Sequence, residues 1–196
     1  MSIHIPESAS AICQQFLVLL DRWNQTHALT ALPGEARFEE LILDSWVLVP
    51  YLAHLPSGSR VVDFGSGMGI PGTVLAIARP DLEIVALDKS RKKMAFVRQV
   101  ALELGLNSLH AIAARAEELP PLSAAVGVAK AVGSIALLAS WWGRHGQAEA
   151  PLYALKGDSW ERELRPEEGW TLLSHPYHLP TRGDRVVLEL RKQSGP

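Results

Sequence analysis

Residues 61–72 read VVDFGSGMGIPG: two valines, then glycines at 65, 67, 69 and 72, with Asp63 two positions before the first of them. Few folds use such a run. A valine pair is strand material suited to a buried sheet, and the glycines after it let the chain turn sharply and let a ligand touch backbone. Where a helix opens directly behind the loop, its unpaired N–H groups and partial positive charge favour an anionic or sugar-bearing ligand. Pro71 suits the first turn of that helix, expected over Pro71 to Ala78.

The rest of the chain repeats the alternation. Strands are expected at Leu82 to Asp88, Leu109 to Ala114, Ala124 to Val132 and Ala150 to Gly157, with a helix from Ser90 to Leu104 closed by Gly105. Such alternation implies βαβ units and a parallel sheet. The tail breaks the rule, because two β-rich runs, WTLLSHPYHL and RVVLELRK, are joined by PTRGD, a hairpin signal. Ahead of the loop, Ile12, Phe16, Leu19, Leu20 and Trp23 recur at helical spacing, and a second helix is expected from Ala36 to His54, kinked or ended by Pro50. The expected architecture is therefore α/β: a mostly parallel sheet ending in an antiparallel hairpin, with an N-terminal helical extension. Residues 1–58 form the helical cap and 59–196 the main domain, together one compact unit.

Composition narrows the function classes. At 196 residues and 47% apolar, the chain can bury a substantial core. No apolar run approaches the ~18 residues of a membrane span. The opening MSIHIPESAS lacks the charged and apolar regions of a secretory signal. Cys13 is the sole cysteine, which excludes an internal disulfide and a thiolate zinc cluster, and no histidine stands at metal-ligand spacing with another ligand type. A cytoplasmic protein without a metal is expected. The net charge of −2 is unevenly spread: residues 1–58 carry two basic side chains against six acidic ones. Further on, Lys89, Arg91, Lys92, Lys93 and Arg98 crowd into ten positions. That cluster suits a polyanion, or equally a solvated helix face.

The loop fails the dinucleotide pattern G-x-G-x-x-G, since Ile stands at 70 and the third glycine comes early, at 69. Asp63-x-Gly65-x-Gly67-x-Gly69 instead resembles the first motif of the class I S-adenosylmethionine-dependent methyltransferases, which have a Rossmann-like fold. Asp88, nineteen residues beyond Gly69 at a strand end, fits a carboxylate that accepts hydrogen bonds from both ribose hydroxyls. GMGIPG, ARPDLEIVALDKSRKKMAFVRQVALELGL, ARAEEL and YALKG narrow the resemblance to the glucose-inhibited division protein B family (RsmG), with echoes in DRWN, Leu29-Thr30 and LILDSW. The likeness runs roughly from Phe16 to Gly157.

That resemblance implies a methyltransferase acting on guanine N7 of 16S ribosomal RNA, with S-adenosyl-L-methionine as cofactor and the RNA or the small ribosomal subunit as partner. A monomer is expected. Carried over by position, cofactor contacts fall on Asp63, Gly65, Gly67, Gly69, Ile70, Asp88, Ala116, Glu117 and Lys130, and RNA contacts on Lys89, Arg91, Lys92, Lys93 and Arg98. Guanine N7 offers a lone pair and no proton, so the reaction calls for alignment of donor and acceptor and for no general base. No catalytic residue is assigned. The chain departs from the family in four places: Lys130 stands for an arginine, Glu40-Leu41 for Arg-His, His27-Ala28 for Tyr-Asn, and Ala124-Ala125 where an aspartate opens the fourth strand. Trp141-Trp142 read as one core and one rim residue, and His175 and His178, astride Pro176, as hairpin surface. The residues alone leave three readings open: a ribosomal RNA methyltransferase, a related enzyme acting on a small molecule or protein, and a non-enzymatic relative that binds cofactor or RNA.

Overall fold

Alternate residues of each central strand belong to two different cores. Val61, Ile84, Ala86, Val126 and Val128 face one layer of helices, while Val62, Phe64, Val85, Leu87 and Ala129 face another. Period-two side-chain direction thus makes a sheet buried on both faces, the condition under which parallel strands are found. In the computed structural model, which describes residues 3–163 and 168–193, seven strands form one sheet in the order β3-β2-β1-β4-β5-β7-β6. They are β1 (Arg60–Phe64), β2 (Glu83–Asp88), β3 (Leu109–Ala113), β4 (Val126–Lys130), β5 (Pro151–Gly157), β6 (Trp170–Leu179) and β7 (Gly183–Lys192). β1 to β5 pair in parallel, and β7 pairs antiparallel with both β5 and β6. The mostly parallel sheet closed by a hairpin is the expected architecture.

Helix α1 (Glu7–His27) buries Cys13, Phe16, Leu17, Leu19 and Leu20. They share one core with α4 (Gly72–Ala78) and α5 (Arg91–Glu103), so the N-terminal helices complete a layer of the sheet. The opposite face is covered by α6 (Ile135–His145), through Ile135, Leu138, Ala139 and Trp142. Two helices open on serines that accept backbone N–H bonds: Ser90 from Lys93 and Ser134 from Leu137. Trp142 is core, with Gly127 and Gly146 packed against its ring where a Cβ would come within 2.8 and 2.6 Å.

Two expected elements differ. The second helix is not one α-helix to His54. It runs as α2 (Gly34–Arg37), a π-helical stretch Phe38–Leu43 and α3 (Asp44–Trp46), followed by a 3-10 turn Val49–Leu52. The α-helix stops four residues before Pro50, which has no N–H to give the Trp46 carbonyl and whose ring would crowd it. The fourth strand is shorter than expected because Ala131 (φ +53°) and Gly133 (φ +49°) turn the chain out of the sheet directly after Lys130. Among the described residues, no helix is long and apolar enough to cross a membrane.

Candidate functional site

At the C-terminal edge of β1, β2, β3 and β4 a cavity of about 580 Å³ opens in the sheet. The glycine loop forms one wall, and Asp63 organises it from beneath. Its carboxylate is fully buried, and Oδ2 accepts the Gly72 N–H (2.8 Å) and the Ser66 hydroxyl (2.5 Å). Oδ1 has no partner among the described residues. Burial pushes this carboxyl up to about 7, and the nearby charge of Asp88 adds to the rise.

Gly65, Gly67 and Gly69 all adopt positive φ, but their surroundings differ. A Cβ on Gly69 would lie 2.6 Å from Thr73 Oγ1, whereas one on Gly67 would meet nothing closer than 3.9 Å. Gly67 therefore faces the cavity, and Gly69 is held between α4 and α5. Asp88 ends β2 with both oxygens engaged: Oδ2 accepts the Gly67 N–H (3.0 Å) and Oδ1 the Ser90 N–H (2.8 Å). An ionised carboxylate has about four acceptor positions. Two remain for hydroxyls, so the residue fits a ribose diol while it also ties the loop to the start of α5.

The far end of the cavity is built by the turn Ala116–Glu118 and by α6. His145, wholly buried, reaches the Ala116 carbonyl through Nε2 at 2.9 Å, and Nδ1 is unpaired among the described residues. Burial holds the ring below the usual histidine range, hence neutral, so Nε2 carries the proton and donates. Trp141, the rim member of its pair, stacks on Phe64 (ring centroids 5.8 Å apart, planes at 27°). Its Nε1–H donates to Glu117 Oε1 at 2.7 Å. The Glu117 backbone N–H and that indole keep the Glu117 carboxyl below its ordinary value.

Of the expected cofactor residues, Gly65, Gly67, Ile70, Asp88, Ala116, Glu117 and Lys130 line the cavity. Asp63 and Gly69 do not; they stand behind the loop. The five basic residues separate. Lys89 and Lys93 reach the cavity rim. Arg91 is exposed, Lys92 donates from Nζ to the His27 carbonyl of α1, and Arg98 donates to the Ala111 carbonyl at 3.1 Å.

Sequence reading missed the polar cluster on the other rim. Lys130 Nζ donates to the Glu40 carbonyl (2.5 Å) and pairs with Asp44, whose other oxygen accepts the Tyr177 hydroxyl (2.5 Å). Burial, then the Asp44 charge, pushes the Tyr177 phenol up, so it stays protonated and donating. β4, the N-terminal helices and β6 meet at this point. His145 was also missed, since a lone histidine carries no spacing signal. Among the described residues no three His, Cys, Asp or Glu side chains converge to hold a metal ion.

The profile of the family described as "GidB: rRNA small subunit methyltransferase G" matches residues 9–181. The chain belongs to that family. "Ribosomal RNA small subunit methyltransferase G" of Chromobacterium violaceum is 44% identical over 62% of this chain, which spans 57% of that relative. The protein of the same name from Stutzerimonas stutzeri is 36% identical over 99% of this chain and 92% of its own length. Among solved structures, a SAM-dependent methyltransferase from Aquifex aeolicus superimposes with a TM-score of 0.58, covering 79% of this chain and 92% of its own at 16% identity. That likeness supports the class I methyltransferase fold implied by the resemblance of the glycine motif.

Proposed function

We propose that this chain transfers the methyl group of S-adenosyl-L-methionine to N7 of a guanine in 16S ribosomal RNA, acting in the cytoplasm as a monomer on the RNA or the small subunit. Membership of the family supports the reaction, and Asp88 carries the cofactor reading. It stands at a strand end beside a glycine loop, holds that loop through Gly67, and keeps two acceptor positions for the ribose. Ala116 and Glu117, fixed by His145 and Trp141, would flank the adenine, and the backbone from Gly65 to Ile70 would receive the methionine part. Asp63 and Gly69 support the loop that does so.

When bound, the cofactor supplies an electrophilic methyl on a sulfonium. The protein's task is to align that methyl with the N7 lone pair and keep water out. No side chain has to remove a proton, because N7 carries none. Lys89, Lys93 and the exposed Arg91 lie where RNA phosphates can approach the rim, with Lys92 and Arg98 flanking them along α5. The test is mass-spectrometric mapping of N7-methylated guanines in 16S ribosomal RNA from cells lacking this chain. One such guanine should be lost and should return with the gene. An unchanged set would overturn the RNA reading in favour of another acceptor.

A further inference from the structure

A second cavity, about 330 Å³, lies against the first and shares Lys130 and Ala131 with it. Its size is near the lower end for small-ligand sites. The wall between the two is the turn after β4, where Ala131 sits in the left-handed region. Lys156, almost wholly buried, braces that turn by donating to the Gly133 carbonyl at 2.8 Å. The turn therefore stands as a held partition between two adjoining cavities at the strand ends.

Three acids and three cations line this cavity, but they do not all pair with one another. Each acid has its own cation: Asp44 pairs with Lys130, Glu163 with Lys156 (2.8 Å), and Glu40 with Arg182 (2.5 Å) outside the cavity. Arg185 of β7 also lines it, half-buried, and its guanidinium has no hydrogen-bond or ion-pair partner among the described residues. It stands opposite Gly157 in the β5–β7 register, and its guanidinium lies 3.9 Å from where a Cβ on Gly157 would be.

We propose that this second cavity receives the acceptor nucleotide and that Arg185 grips one of its phosphate oxygens. The proposal rests on the RNA methyltransferase reading above. A half-buried guanidinium that meets no anion among the described residues calls for one, and its planar fork matches phosphate. The base edge is the poorer partner. Arginine reads guanine through O6 and N7, and an N–H bonded to N7 would occupy the lone pair that has to attack the methyl.

The test uses the full chain and Arg185→Gln and Arg185→Lys variants, with small ribosomal subunits as substrate. Arg185→Gln should raise KM for subunits at least about tenfold, while calorimetric affinity for S-adenosylmethionine and the Tm stay as in the parent. The log–log salt slope of subunit binding should fall by about 0.7–0.9, one phosphate contact. Arg185→Lys should restore the slope and only part of the KM. An unchanged KM in Arg185→Gln, or a raised KM with an unchanged slope, would overturn the phosphate grip. A matching loss of cofactor affinity would put Arg185 in the donor site and overturn it too. A parent protein that methylates no subunit overturns the RNA reading itself, and this proposal with it.

Discussion

Asp88 has two separable tasks, and substitution can separate them. Its carboxylate already accepts two backbone N–H bonds, from Gly67 and Ser90, and in the proposed complex would accept two more from ribose. Hydrogen bonds to a charged acceptor are worth roughly 1.5–3 kcal/mol each. Asp88→Ala removes the ribose pair, so affinity for S-adenosylmethionine should fall by at least about tenfold per bond at 1.4 kcal/mol per decade. The same change leaves the two N–H groups to water, which should lower the unfolding free energy by a further ~1–2 kcal/mol.

Asp88→Asn is the sharper variant. It has one acceptor oxygen and one NH₂ where the parent has two oxygens, and both positions face a backbone N–H. Whichever way the amide turns, a donor meets a donor. The near-isosteric change should therefore disturb the loop about as much as alanine does, rather than act as a mild loss of charge. Isothermal titration with S-adenosylmethionine and thermal unfolding of the three proteins measure the two tasks apart. Equal cofactor affinities would refute the ribose role. Normal stability in Asp88→Asn would refute the two-N–H geometry.

Asp63 should make stability depend on pH. Its folded pKa of about 7 lies well above the ordinary aspartate value of about 4, so the native state holds the proton more tightly, and stability falls as pH rises from about 4 towards 7 and levels off above it. Between pH 5 and 7 the loss relative to Asp63→Asn should be about 2 kcal/mol at 1.4 kcal/mol per unit, and parallel urea-midpoint profiles would sink the idea. At the glycines, Gly67→Ala adds a methyl facing the cavity and should weaken cofactor binding, with ~1–2 kcal/mol of left-handed strain. Gly69→Ala, with Thr73 and Val97 at 2.6 and 3.0 Å from the new Cβ, should lose a further ~1–3 kcal/mol by overpacking. Similar melting temperatures for the two would contradict the assigned directions of their Cα–Cβ bonds.

What the sequence made legible was local. Glycines at alternate positions after a valine pair announced the loop, an aspartate at the end of the next apolar run announced Asp88, and PTRGD announced the hairpin. Each signal lies within a few residues of what it specifies. The boundaries that moved did so for local reasons that spacing hides. Pro50 acts four residues back on Trp46, and Ala131, a residue type that rarely turns left-handed, ends β4 early. Asp63 and Gly69 belonged to the right motif, but a motif does not say which members face the ligand and which hold the loop from behind.

The Lys130 cluster was illegible because its members lie 86 and 133 positions apart, Lys130 to Asp44 and Asp44 to Tyr177. Only the finished sheet brings them together. The cluster also accounts for two departures from the family pattern at once. Lys130 bonds to Glu40 through its backbone carbonyl, which any side chain at position 40 provides, so Glu40 is free to turn outward to Arg182. An ammonium can serve the single Asp44 oxygen and that carbonyl as separate acceptors, with no need of a planar fork. The departures at 40 and 130 therefore leave the joint between β4, the helical cap and the hairpin intact.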